Sequence, residues 1–365
     1  MTYRLRNFVE AISESETAPQ NSPFGRFVGL EHYDSGELEI TRFSDTSLLS
    51  SSVKVFHKND ILIARRNVYL RRAGIVFFDG LTSGDSIILR VLSDCESSTG
   101  VPYSIALRWL PIILNSSVFW AYANKHADGM NSKRISKEML LDYEFYAPTL
   151  DEIISVTEKV WAAHELKNRY RVLLKATDEI VKSRFFEQFS NPKIARVPLI
   201  DLCSLFIDGD WIEAKDQSNS GYRLVQTGNV GVCEYLDKEE HSRFVSEETF
   251  KRLNCTEIHS GDILFSRLPE PIGRCCIIPK GYPKAITAVD CTITRLKDIC
   301  LPEYLMVYTT TAMYSEQIKK CITGTTRQRI SRGNLAKIVV PLPEMQQQKE
   351  FVLLVHQADK SKYLN

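Results

Sequence analysis

Two stretches of this chain repeat one another. Residues 129–148 read GMNSKRISKEMLLDYEFYAP and residues 324–343 read GTTRQRISRGNLAKIVVPLP. Gly129 falls opposite Gly324, Arg134-Ile135-Ser136 opposite Arg329-Ile330-Ser331, Leu140 opposite Leu335 and Pro148 opposite Pro343, every pair 195 residues apart. Upstream, Asn59-Asp60-Ile61-Leu62 answers Gly261-Asp262-Ile263-Leu264, and the run from Asp85 to Arg90 answers that from Asp290 to Arg295, with slightly longer offsets. A fixed period of this length means duplicated domains rather than a stack of short units. Two like halves are suited to two like targets.

Composition narrows the class. A length of 365 residues predicts two to three domains, and 44% hydrophobic with 25% charged residues is ordinary for a globular protein. No apolar run approaches the ~20 residues that span a bilayer, and the N-terminus lacks a signal-peptide core, so cytoplasmic residence is expected. Eight of the nine cysteines lie between Cys203 and Cys321, and none forms a C-x-x-C pair. Reduced, mostly buried thiols are expected, with Cys275-Cys276 inside a strand.

Net charge is only +1, so any attraction to a polyanion is local. Lys319, Lys320, Arg327, Arg329, Arg332 and Lys337 stand in a stretch without acids, as do Arg65, Arg66, Arg71 and Arg72. Lys125, Lys133, Arg134 and Lys137 form a third group, diluted by Asp128. A lone basic patch is commonly a solvated face. Here the clusters at 133–137 and 327–332 occupy equivalent places in the repeat, which favours a partner touched at a few points.

The residues imply a mixed α/β (α+β) fold. Residues 1–148 form a first domain, with β-like runs at Val53–Phe56, Ile61–Ile63, Gly74–Phe78 and Ser86–Leu89 and a helix from Ser104 to about Lys125. Between Pro148 and Pro192 there is neither proline nor glycine. Thr149 reads as an N-cap, and apolar residues recur at helical spacing from Ile153 to Val181, predicting one long helix over 149–190. Such a helix needs a partner helix. Residues 191–343 form the second domain, with runs at Ile263–Phe265, Cys275–Ile278 and Thr292–Thr294, and 344–365 a second, shorter helix. If the two helices pack about a pseudo-two-fold axis they run antiparallel.

Familiar catalytic patterns are missing. There is no phosphate loop, no H-E-x-x-H, no nucleophile elbow, no N-P-P-[YF] tetrad of adenine methyltransferases and no P-D-x(n)-E-x-K nuclease pattern. The seven histidines have no ligand spacing, and Asp208-Gly209-Asp210 reads as a turn rather than a calcium loop. No metal site and no catalytic centre are expected.

The run Val55–Val91, the segment Asp208–Glu213, GYRLVQTGNVG at 221–231, GDILFSRL at 261–268 and GTTRQRIS with VPLP at 324–343 resemble the specificity subunit of type I restriction-modification enzymes. The layout of two variable domains, each followed by a helix, is that family's plan. The second helix departs from it by being short. The resemblance implies two pseudo-symmetric target-recognition domains, joined and separated by long helices in an antiparallel coiled coil. Each domain reads half of a bipartite site in double-stranded DNA, and the helices set the gap. The subunit itself is non-catalytic and binds no cofactor. Two modification (adenine methyltransferase) subunits dock on it and bring S-adenosylmethionine. Restriction subunits bring ATP and Mg.

Arginine forks match guanine edges and phosphates. The DNA-binding candidates are therefore Arg65, Arg66, Arg71, Arg72, Lys133 and Arg134 in the first domain. In the second they are Arg267, Arg274, Thr326, Arg327, Gln328 and Arg329. Gly129 and Gly324 allow a close turn before the basic residues, and Ser136 and Ser331 read as N-caps. For Asp60, Asp262, Asp85 and Asp290 turn chemistry is the favoured reading. The competing function is an assembly scaffold that docks protein partners through its helices and reads no DNA.

Overall fold

The computed structural model describes residues 1–47, 49–130, 132–324 and 328–359. The chain makes two compact units, Met1–Tyr170 and Arg171–Asn365.

In the first unit, strands β1 (Val9–Ile12), β2 (Ile61–Ala64), β3 (Ala73–Ile75) and β4 (Ser86–Val91) form an antiparallel sheet in the order β1-β4-β2-β3. A second sheet joins Ser15–Glu16, Val53–Phe56, Gly80–Thr82 and Phe27–Val28. Strand β2 is buried at every residue because it sits centrally and is covered on both faces. Strand β3 ends at Ile75, short of the expected Phe78. Beyond it, Val76 exchanges hydrogen bonds with Asn59 and Asp60 (2.8 and 3.0 Å) and Phe78 turns to pack on Phe56. Helices α1 (Tyr103–Leu114) and α2 (Ser117–Lys125) replace the single helix expected there and meet at 63°. The break lies where the Ser116 side chain caps α2 by accepting from the Phe119 N–H at 3.1 Å. Trp109, Phe119 and Trp120 fill the core beneath. Helix α3 (Lys137–Leu141) follows.

Helix α4 runs unbroken over Leu150–Phe189. Its start is a capping box. The Thr149 N–H and hydroxyl donate to Glu152 Oε2 (2.9 and 2.8 Å), and the Glu152 N–H returns to Thr149 Oγ1 at 3.4 Å. Its first part belongs to the first unit. Trp161 Nε1 donates to the Arg108 carbonyl at 2.8 Å, and Lys167 pairs with Glu37 at 2.6 Å. Its middle leaves Leu166, Tyr170, Val172, Leu173 and Ile180 between 47 and 69% exposed.

In the second unit, β5 (Cys203–Asp208), β6 (Ile263–Ser266), β7 (Cys275–Ile277) and β8 (Cys291–Leu296) take the order β5-β8-β6-β7, the first unit's order again. Helices α5 (Pro302–Thr309), α6 (Ala312–Cys321), α7 (Arg332–Ala336) and α8 (Met345–Asp359) follow. Phe351 on α8 packs against Phe185 and Phe189, while Val355 and His356 share a cleft with Asp178, Val181 and Lys182. As numbers rise along α8 they fall along α4, so the two run antiparallel. The nine cysteines are free thiols, and Cys275-Cys276 lies in β7 as expected.

The repeat also reproduces an ion pair. Arg90 Nε and Nη2 donate to the Asp60 carboxylate, and Arg295 Nε and Nη2 to that of Asp262, all four at 2.8 Å. Each aspartate also accepts a backbone N–H, from His57 and His259 at 2.8 and 2.7 Å, closing the turn read from the sequence. Asp60 and Asp262 are 1 and 2% exposed, and their arginines about a third. Replacing Asp262 by alanine strips a turn of its acceptor and a fork of its partner. Water can reach the guanidinium, so the expected loss is about 2–3 kcal/mol. Chemical denaturation of the variant checks it, with Asp262→Asn, which keeps the N–H acceptor, losing less.

Candidate nucleic-acid interface

In the first unit the basic groups at 65–72 and 133–134 are brought together. Arg66 and Arg134 face each other across an antiparallel bridge. The Ile135 N–H donates to the Arg65 carbonyl at 3.1 Å and the Asn67 N–H to the Lys133 carbonyl at 2.7 Å. Arg66 Nε donates to Ser132 Oγ at 2.9 Å. Asp85 sits between the guanidiniums, 3.8 Å from Arg66 and 3.5 Å from Arg134, and its own carbonyl accepts from the Arg65 N–H. Both side chains remain about half exposed (46 and 48%), and Arg71 and Lys133 are exposed beside them. Two acids, Asp85 and Asp128, thus stand among Arg66, Arg71, Lys133 and Arg134.

Backbone geometry places these groups. Gly129 has φ +117°, and a Cβ there would lie 2.7 Å from the Ser132 carbonyl, so the chain can double back only with glycine. Gly324 has φ +93° at the equivalent point. Ser136 Oγ accepts from the Met139 N–H and Ser331 Oγ from the Asn334 N–H, both at 3.1 Å, so the two serines cap α3 and α7.

The second unit keeps the skeleton and changes what it presents. The Arg267 N–H donates to the Asp290 carbonyl and the Ile330 N–H to the Arg267 carbonyl (2.9 and 3.2 Å), as Arg65, Asp85 and Ile135 do in the first unit. Arg329 pairs with Thr323 in register where Arg134 pairs with Asp128. Gln328 and Arg329 are exposed. Thr326 and Arg327 lie outside the described residues. Arg267 differs from the expectation of a solvent-facing fork. It is 9% exposed, donates to the Val289 carbonyl at 2.6 Å, and lies 3.4 Å from Asp208 and 3.9 Å from Asp290.

Arg72 and Arg274 are likewise occupied. Arg72 donates to the carbonyls of Leu30 and Arg66 (2.9 and 3.1 Å). Arg274 donates to those of Val230, Leu268, Pro271 and Thr227 at 2.6 to 3.1 Å. The Ala64 N–H donates to the Arg72 carbonyl and the Ser266 N–H to that of Arg274, so the two arginines are structural counterparts. Burial lowers both guanidinium pKa values from their ordinary value. These two hold loops in place. Arg65 is half-buried.

Three lysines stand outside the DNA-binding candidates, two of which, Lys137 and Lys319, belong to the basic groups read from the sequence. Lys54 donates to the Ser86 carbonyl at 2.7 Å, and burial first, then the adjacent Arg65, pushes its pKa down. Lys137, counterpart of Arg332, is exposed at the first residue of α3. Lys319 and Gln328 line a cleft of about 380 Å³ with Pro269, Ile272, Tyr314 and Ile318. The repeat was the available signal for Lys137, since both residues follow the same Arg-Ile-Ser.

Chemically, the exposed set can grip phosphates and offer forks to base edges, and the Gln328 amide matches the paired donor and acceptor of adenine. Among the described residues no cluster of His, Cys, Asp and Glu could hold a metal ion.

Residues 193–364 match the family described as type I restriction modification DNA specificity domain. Among solved structures, the chain is similar to one described by complex assembly and conformational transition of the type I R-M system. That match has 16% identity and a TM-score of 0.51, and covers 100% of this chain and 91% of the other. A type I restriction-modification S subunit from M. genitalium matches at 12% identity and TM-score 0.51, over 99% of this chain and 91% of the other. An HsdS subunit from Thermoanaerobacter tengcongensis matches at 16% identity and TM-score 0.39, over 99 and 90%. No curated protein matches.

Proposed function

We infer that this chain, whose residues 193–364 match the type I restriction modification DNA specificity domain, is the subunit that chooses the DNA sequence on which a type I complex acts. The observation that carries this reading is the duplicated edge. At equivalent backbone positions each unit presents an exposed arginine, Arg134 or Arg329, fixed one residue before a buried isoleucine and two before a capping serine.

The two halves of the chain are target-recognition domains, 1–148 and 191–343, each reading one half of a bipartite site. Arg66, Arg71, Lys133 and Arg134 face the first half-site, and Gln328 and Arg329, with Thr326 and Arg327, the second. Arg65, Arg72, Arg267 and Arg274 set the loops that carry them. Helices α4 and α8, within the segments 149–190 and 344–365 of which 360–365 lie outside the described residues, fix the gap between half-sites and dock two modification subunits. The exposed apolar residues along the middle of α4 support that docking. Methyl transfer, with S-adenosylmethionine, and cleavage, with ATP and Mg, belong to the partner subunits in the bacterial or archaeal cytoplasm. The chain itself carries no catalysis.

The test is methylome sequencing of a host lacking this activity that expresses the chain with its modification subunit. A new methylated adenine motif with two fixed halves and a fixed gap is the expected result. Stable co-purification without any new motif would overturn DNA reading in favour of a scaffold.

A further inference from the structure

The loop joining β2 to β3 ends in a rigid apolar tip. Val68–Leu70 form one tight turn, held between two residues in left-handed backbone, Asn67 (φ 55°) and Arg71 (φ 51°). For arginine that conformation carries a steric cost, so the surrounding contacts must impose it. They are present. The Leu70 N–H donates to the Asn67 carbonyl, the Arg71 N–H to that of Val68 and the Asn67 N–H to that of Lys133 (2.9, 3.0 and 2.7 Å). Val68 is 1% exposed and anchors the turn from below, while Arg72 ties its base to Leu30 and Arg66. What this frame holds outward is Tyr69, 59% exposed, and Leu70, 40% exposed. Among the described residues Tyr69 has no ring partner.

The counterpart loop carries no aromatic residue at its tip. Because Ala64 with Arg72 and Ser266 with Arg274 make the same backbone bond, Tyr69 and Leu70 correspond to Pro271 and Ile272. Ile272 is half-buried against the second unit's core, and Pro271 is exposed. The exposed aromatic ring at this tip is therefore a feature of the first unit's loop and not of the shared backbone. It also stands within the basic cluster, flanked by Arg66 and Arg71 in sequence and joined through Asn67 to Lys133.

We propose that Tyr69 and Leu70 are a wedge that enters the duplex at one base step of the first half-site, so that part of its sequence is read through the ease of unstacking that step. This rests on the DNA-specificity reading above. A rigid apolar tip ringed by bases meets the two needs of such insertion. Phosphates on either side are neutralised, and the exposed bases gain an apolar and an aromatic surface in exchange for lost stacking. Flexible pyrimidine–purine steps are the ones most easily opened, so the proposal expects one at the contact.

The experiment uses the full chain assembled with its modification subunits, on duplexes of its own site carrying 2-aminopurine at successive positions of the first half-site. The wild-type complex should raise the fluorescence at one step only. The Tyr69→Ser, Leu70→Ser double variant should lose that signal and weaken specific binding by roughly tenfold, with its melting temperature unchanged. A wild-type complex that methylates its site yet unstacks no step overturns the wedge and leaves the specificity reading intact. A double variant that loses its modification subunits while the fluorescence signal persists overturns it in favour of a protein-docking tip. A wild-type complex that methylates no fixed motif overturns the specificity reading and the wedge with it.

Discussion

Replacing Arg66 and Arg134 together by glutamate is expected to abolish methylation at sites read by this chain, with both binding and turnover falling by a factor of a hundred or more. Each exposed fork is worth about 1–3 kcal/mol when it meets a base edge, and a reversed charge adds repulsion from the phosphates. The pairs these arginines now make with Asp85 are weak by comparison. The arginines are half exposed, and at 3.8 and 3.5 Å the pairs contribute about 0–1 kcal/mol, so a DNA phosphate or base edge would displace the acid at small cost. The same weakness makes the variant a fair test, because the fold loses little when the pairs go. Titration of the complex with labelled duplex at several salt concentrations checks it. The slope of affinity against salt should flatten by about one unit for each lost phosphate contact. Arg329→Glu should act in the same direction through the second half-site. Arg274→Ala should instead lower the melting temperature of the chain, since its four bonds go to backbone carbonyls.

Phe351→Ala is expected to cost about 3–5 kcal/mol, which for a unit of this size lowers the melting temperature by on the order of 10 °C. Phe351 is 2% exposed and meets Phe185 and Phe189 edge-on, with ring centroids 5.5 and 5.3 Å apart. Tyr304 closes the group, packed on Phe185 and Phe189 at 5.2 and 5.3 Å and donating its hydroxyl to the Pro341 carbonyl. Removing one ring leaves a hole that three aromatic rings cannot fill without leaving their own positions. The site is the contact between α8 and the end of α4, so the loss also unseats the short helix. Methylation should fall at the working temperature and recover on cooling, which separates this variant from the charge reversal, whose loss persists at every temperature.

Much of the architecture could be read from the sequence because it is stated twice. The strand beginning at Ile61, the caps at Ser136 and Ser331 and the turn acids Asp60 and Asp262 are each visible in both copies, and local chemistry suffices to place them. Helix α4 was legible from the absence of glycine and proline and from Thr149 with Glu152. The break at Ser116 was signalled by Asn115-Ser116, a capping pattern that the apolar run on either side obscured. Arg72, Arg267 and Arg274 could not be told from Arg66 by sequence. What separates them is the supply of backbone carbonyls, from Leu30 for Arg72, Val289 for Arg267, and Thr227 and Val230 for Arg274. Those are brought up by folding from distant parts of the chain. The apolar tip at Tyr69-Leu70 was hidden for the same reason. An alternation of basic and apolar residues does not say which of them will be turned outward.

The position of Asp85 has a kinetic consequence. An acid between two arginines cancels much of the field felt at a distance while leaving the guanidinium forks available at contact. In a chain of net charge +1, the proposed encounter with DNA would therefore gain little from long-range attraction, and capture of arbitrary DNA would be slow and brief. Discrimination then falls on dwell time. On the proposed function, the complex would leave most sequences quickly and remain only where enough close contacts form together to outlast the methyl transfer.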